Sequence, residues 1–333
     1  MNTRNVLLAL SLFLSGAMAL PAWADDDHHF PQGATFTTLA KTALNIEGLT
    51  GDNEGILYTP TRQAGINVAC PVLRVNANIA NPDPVVVGLI PAPAGGQCAP
   101  LGLAFDRAGR LFVTETTTSK IFSFIPNAST PPIATEFASG VPGTNGVAFD
   151  EDGNLWTSDG VTGQGRVWKI SPAGGVCEPS FTGCEEVFRI QPMANGVNVG
   201  RQVSTLQPTQ TPAAPANPQP SVGKTLCMGN LFVANPLLEG ADGIALDRDG
   251  NIWVSVNERN AIVVVTDKGT VIEVFRNAPV AGLRNTGPLE FPTSPFLSDR
   301  KFCTASSDGN RRDNSPNSGG ELNIVEVLDI LHL

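Results

Sequence analysis

Six residues recur at one position of a repeated pattern: Glu47, Leu101, Asn145, Asn195, Asp242 and Thr293. Five of the six offer an oxygen donor, and four of those are a carboxylate or an amide. Two carboxylates and two amides at close quarters suit a hard divalent cation, which takes carboxylate and carbonyl oxygens. Without a cation, Glu47 and Asp242 facing each other would raise one another's pKa. The alternative reading is conformational, because Asn-Gly and Asp-Gly are common turn dipeptides. Glu47 is an unusual residue for that role, and four polar positions in register favour a site.

The repeat behind these positions is plainest from Ala241 to Val265, where Ile244, Leu246, Ile252 and Val254 mark two short apolar strands around Asp247-Arg248-Asp249-Gly250-Asn251. Asp, Gly and Asn tolerate the backbone conformations that a tight hairpin needs. Segments beginning at Leu101 and Asn145 repeat the pattern. Gly48, Gly102, Gly146 and Gly243 each precede a first strand. The long gap before Gly243 places another unit at Gly196, and the sequence Glu290 to Leu297, followed by the strand-like Lys301 to Thr304, supplies a sixth. A period of about 50 residues is that of propeller blades. Units of short strands separated by Asp/Gly/Asn turns, with almost no helical periodicity, cannot bury their faces alone. The expectation is an all-β, six-bladed β-propeller of four-stranded blades, with the six recurring residues around one mouth of the central channel.

Irregular segments are expected at 83–96, at 308–320 and at 207–223, a Pro-rich, uncharged insertion in the fourth unit. Val199-Gly200-Arg201-Gln202 stands where the other units have a turn and second strand. The apolar run Leu322 to Leu328 is expected to be a strand that helps close the ring, or else a short helix. Asp150-Glu151-Asp152-Gly153-Asn154 and Asp247 to Asn251 begin like calcium-binding loops. They lack the Gly that such a loop needs at its sixth position, where Leu155 and Ile252 stand instead. They are expected to be hairpin turns.

Residues 1–24 have the form of a signal peptide: Arg4, an apolar core from Val6 to Leu14, and Ala22-Trp23-Ala24 as the cleavage site. Residues 25–333 would then be one exported propeller domain, periplasmic or secreted, with no stretch long enough to span a membrane. In an oxidising compartment the six cysteines suggest disulfides. The expected pairs are Cys177–Cys184, Cys70–Cys98 and Cys227–Cys303. A net charge of −10 argues against a nucleic-acid partner. The three histidines, His28, His29 and His332, lie at the chain ends, which disfavours a Ser-His-Asp site and His-ligated zinc in the body of the fold.

Four short motifs resemble the gluconolactonase and luciferin-regenerating-enzyme family, which includes regucalcin. Ile46-Glu47-Gly48 is similar to the family's first metal-binding Glu, and Asn195-Gly196-Val197 to its later metal-binding Asn. Ala241-Asp242-Gly243-Ile244 with Asn251-Ile252-Trp253-Val254 looks like the motif whose Asp is both metal ligand and proposed general base. Asn145 falls where the family has an Asn facing the substrate. No Arg adjoins Asn145, and Arg201 is taken as the substrate-binding substitute. The resemblance implies a metal-dependent hydrolase of a lactone or related ester. Glu47, Asn195 and Asp242 would hold Ca²⁺, with Mg²⁺, Mn²⁺ or Zn²⁺ as alternatives. The rival reading is a non-catalytic propeller that acts as a binding or scaffold module. A carbon–oxygen lyase on a related propeller is disfavoured by the missing body histidine.

Overall fold

The computed structural model describes residues 36–52, 54–162, 164–189, 194–198, 203–206, 232–277, 289–298, 301–307 and 321–326, with backbone alone for 189, 194–198, 203–206, 258 and 321–326. Signal-peptide residues 1–24, Arg201, the insertion at 207–223, Cys227 and the loop at 308–320 lie outside them.

The described strands form six sheets. The first holds Thr50–Gly51, Ile56–Pro60, Cys70–Asn76 and Val85–Ile90. The second holds Pro100–Phe105, Leu111–Glu115, Lys120–Phe124 and Thr135–Ser139, with Gly175–Val176 added in parallel to its outer edge. The third runs through Thr144–Phe149, Leu155–Asp159, Arg166–Ile170 and Cys184–Arg189. The fourth pairs Ala194–Asn198 with Val203–Leu206. The fifth comprises Ala241–Leu246, Ile252–Val256, Ala261–Val265 and Val271–Arg276. The sixth joins Pro292–Ser298, Lys301–Ser306 and Glu321–Glu326 to the N-terminal strand Thr37–Lys41. The first strands of successive sheets are neighbours all the way round, the sixth against the first. The fold is therefore all-β and propeller-like.

The expectation of six four-stranded blades is met only in part. Four sheets have four strands, one has five, and the fourth has two among the described residues. A second strand nevertheless follows 199–202, contrary to expectation. The described part of the apolar C-terminal run lies in the strand Glu321–Glu326, and the outermost strand of that sheet comes from the other end of the chain, which closes the ring.

Residues 83–96 are not one loop, because Val85–Ile90 is a strand. The Pro and Gly content of the surroundings hid a run of β-branched residues. Gly88 belongs in that strand because the Phe124 ring packs 2.1 Å from where a Cβ would stand.

Neighbouring sheets pack face to face, so the core is a series of layers. Val113 packs in the layer between the first and second sheets, whereas its strand neighbour Phe112 packs in the layer between the second and third. Trp253 and Val254 divide in the same way. Both faces of the second and third strands are buried, which is why these strands are nearly continuous apolar runs.

The Cys70–Cys98 and Cys177–Cys184 disulfides form as expected. The expected Cys227–Cys303 bridge does not, because Cys303 is a buried free thiol. Burial in the layer between the sixth and first sheets pushes its pKa to about 12.

Candidate functional site

The repeated glycines are explained by close approach between sheets. A Cβ on Gly48 would stand 1.9 Å from the Leu101 carbonyl oxygen, one on Gly102 would stand 2.2 Å from that of Asn145, and one on Gly243 would stand 2.4 Å from that of Thr293. Only glycine admits the next backbone at these distances. Each glycine is thus set against the residue that precedes the corresponding position of the following sheet. The Thr293 hydroxyl donates to the Glu47 carbonyl at 2.6 Å and closes the sequence.

Leu101, Asn145, Asn195, Asp242 and Thr293 are each the second residue of a first strand. Just beyond, the register slips in every one of these strands, between Pro100 and Leu103, Thr144 and Val147, Asn195 and Val197, Ala241 and Ile244, and Pro292 and Ser294. A bulge re-aims the side chain beside it. The recurring bulge was invisible in the sequence, where only its glycine showed.

A threonine on a second strand supports this ring from behind in two sheets. The Thr59 hydroxyl donates to the Gly48 carbonyl at 2.7 Å, and that of Thr114 donates to the Asn145 carbonyl at 2.8 Å. Both threonines are fully buried.

The two acids of the ring are held by residues not anticipated from the sequence. The Glu47 carboxylate accepts from Nη1 of Arg62 in a short ion pair. Oδ2 of the buried Asp242 accepts from Nδ2 of Asn257 at 2.9 Å. Each partner follows its acid by fifteen residues, just past the second strand of the same sheet. That common offset is the signal that would have found Arg62 and Asn257. Among the described residues, Glu47 and Asp242 are each bonded within their own sheet, and the Thr293 position stands between them in the ring. The side chain of Asn195 lies outside the described residues, although its strand adjoins those of Asn145 and Asp242.

A second set of acids lies on the same side and binds backbone amides, with Asp159 also paired to Arg166. Glu115 accepts from the amides of Ala99, Thr117 and Thr118 at 2.8, 3.2 and 2.7 Å. Asp159 accepts from the amides of Val161 and Thr162 and from Nε of Arg166 at 3.1 Å, while the Arg166 Nη1 reaches Glu178 at 2.8 Å. Both acids are fully buried.

At the opposite ends of the strands, Asp52, Asp106, Asp150 and Asp247 each accept from amides of the turn they open. These are hairpins, as expected, with a positive φ of 78°, 78°, 81° and 88° at Gly55, Gly109, Gly153 and Gly250. Asp150 and Asp247 also accept from Nε1 of Trp156 and Trp253.

Oxygen donors fit a divalent cation by chemistry, and the ring supplies carboxylates, amides and strand carbonyls. No three His, Cys, Asp or Glu side chains gather at a point among the described residues, so amide or carbonyl oxygens would have to complete any cation site. At Glu47 a cation would also meet the Arg62 guanidinium.

No family model matches the chain. Drp35, a lactonase of Staphylococcus aureus (strain bovine RF122 / ET3-1), is 22% identical over 272 residues, 78% of each protein. Among solved structures, the PQQ-bound aldose sugar dehydrogenase from Streptomyces coelicolor has a TM-score of 0.64 at 16% identity, covering 89% of this chain and 99% of that one. Regucalcin, a calcium-binding protein from Agrobacterium tumefaciens strain C58, has a TM-score of 0.53 at 15% identity, covering 89% and 96%. The resemblance to the gluconolactonase, luciferin-regenerating-enzyme and regucalcin family holds. At these identities the two structures share a fold with the chain. The lactonase is similar to the chain in sequence.

Proposed function

We propose that the chain is an exported hydrolase of a lactone or related ester, built on a six-bladed propeller whose fourth blade is modified. The observation that carries this reading is the buried Asp242 carboxylate, anchored by Asn257 on a bulged first strand at the ring. The 22% identity with a lactonase supports the substrate class. The two disulfides and the leader-like first 24 residues support export to a periplasmic or extracellular space.

In this reading Asp242 takes the proton from the attacking water as general base. Asn257, donating to Oδ2, keeps the carboxylate from rotating away from that water. Asn145, one sheet beyond Leu101 in the ring, orients the substrate carbonyl, with Arg201 as a further substrate contact. Glu47, Asn195 and Asp242 would hold a divalent cation, Ca²⁺ first, with Mg²⁺, Mn²⁺ or Zn²⁺ as alternatives. When bound, such a cation supplies a positive charge that polarises the carbonyl and acidifies water.

The test is Asp242→Asn assayed on a lactone panel, with circular dichroism to check the fold. The expected result is a loss of turnover of about 10²- to 10⁴-fold, the usual contribution of a general base, with the fold retained. Unchanged turnover would remove Asp242 from the mechanism. One observation favours a non-catalytic binding module: both ring carboxylates already have partners, Arg62 and Asn257, as purely structural acids do. A protein that hydrolyses no lactone on the panel, with or without added Ca²⁺, would decide for that reading.

A further inference from the structure

Arg62 stands out when the repeat is used as an internal control. The position just past the second strand, beside the ring, is Arg62 in the first sheet, Thr116 in the second, Gly160 in the third, Asn257 in the fifth and Ser307 in the sixth. Of these five, only Arg62 is charged. It is also the one that meets a ring carboxylate with a full positive charge, where the fifth sheet uses a neutral amide for the same task. The guanidinium is largely enclosed, with 19% of its side chain exposed against 13% for Glu47.

The pairing is incomplete. Arg62 reaches Glu47 through Nη1 alone, and its Nε is buried without a partner. A guanidinium held at full strength on a carboxylate uses two parallel N–H donors. A buried donor left unpaired has a cost that a second arrangement of the side chain would relieve. The Arg62 backbone is held in place, its amide donating to the Asn45 carbonyl at 2.8 Å.

We propose that Arg62 is a built-in competitor for the cation site, so that the guanidinium and a divalent cation claim the same Glu47 carboxylate and cation binding requires the Arg62 side chain to turn away. The proposal rests on the cation-dependent reading of the ring given above. It makes the cation affinity of this chain a property of Arg62 as much as of the ligands, because a neutral side chain at this position leaves Glu47 free to coordinate.

Calcium binding to the purified protein by isothermal titration calorimetry tests this. Arg62→Gln is expected to bind Ca²⁺ about tenfold more tightly than the unaltered protein, a change of about 1.4 kcal/mol. Arg62→Lys retains a competing charge and is expected to stay within about threefold of it. Equal or weaker binding by Arg62→Gln overturns the proposal, as does the absence of binding in both proteins. Should Arg62→Gln fail to fold, the unaltered protein serves. Modification by the arginine reagent phenylglyoxal, followed at the Arg62 peptide by mass spectrometry, should quicken when Ca²⁺ is added. Protection by Ca²⁺, or no change, overturns the proposal. Lactone turnover, measured separately, keeps the two readings apart. Tighter Ca²⁺ binding by Arg62→Gln in a protein without lactonase activity upholds the competitor and removes the hydrolase.

Discussion

The two ends of the sheets use the same residue types to opposite purposes. At the turn end, four aspartates in four sheets do one thing: Asp52, Asp106, Asp150 and Asp247 each bind the amides of their own hairpin. Their partners lie within a few residues, so the arrangement repeats wherever the local sequence repeats. At the ring end the equivalent positions differ from sheet to sheet: Glu47, Leu101, Asn145, Asp242 and Thr293. The partners there also differ, a guanidinium for Glu47 and an amide for Asp242. Uniformity marks the end that builds the fold, and divergence marks the end free to carry chemistry.

The contrast can be broken most sharply at Asp242. Asp242→Asn should cost about 10²- to 10⁴-fold in lactone turnover while leaving the melting temperature nearly unchanged. A large loss of stability would class Asp242 with the turn acids. The next effect concerns how the ring end is held. Where the turn end relies on local hydrogen bonds, Cys70–Cys98 joins the start of the first sheet's third strand, where the connection carrying Arg62 ends, to the segment after its fourth strand, 28 residues on. Replacing both cysteines by serine should cost ~3–4 kcal/mol in chemical unfolding, on the loop-entropy account.

The turn acids should give the converse of Asp242. Asp247→Ala leaves the buried Trp253 Nε1 and Asn251 Nδ2 without their acceptor and should cost about 1–3 kcal/mol with kcat unchanged. An altered kcat would mean that the two ends are coupled. The smallest effect is pH-dependent and belongs to Asp150. Burial raises its pKa, but hydrogen bonds from Trp156 and Asn154, with the Lys169 charge, more than offset this, and the folded pKa lies below the ordinary Asp value. Its contribution to stability is therefore complete above the unfolded pKa and is lost as pH falls through the folded one. Asp150→Asn should flatten the acid limb of a melting-temperature profile below about pH 4. An unchanged limb would show that the turn carboxylate carries no net stabilisation.

By itself the sequence determined the local and periodic features. The hairpin turns, the strand pairs around them, the spacing of the glycines and the shared register of Glu47, Asn145, Asn195, Asp242 and Thr293 are all properties of short segments. Strand alternation and turn chemistry act over a handful of residues and leave their mark there. The Cys70–Cys98 and Cys177–Cys184 pairs were also legible, since each joins segments close along the chain. Contacts between distant segments were not. The strand at Val85–Ile90 forms by pairing with Cys70–Asn76, and the Phe124 ring of the next sheet fills the space above its Gly88. The outermost strand of the last sheet comes from Thr37–Lys41, which no local pattern ties to Glu321–Glu326. Cys303 remains a thiol because it is enclosed between two sheets. Only the tertiary structure brought Arg62 onto Glu47 and Asn257 onto Asp242. Those pairings depend on where the end of each second strand comes to lie against the residue before its ring glycine, and a side chain's direction is a property of the folded backbone.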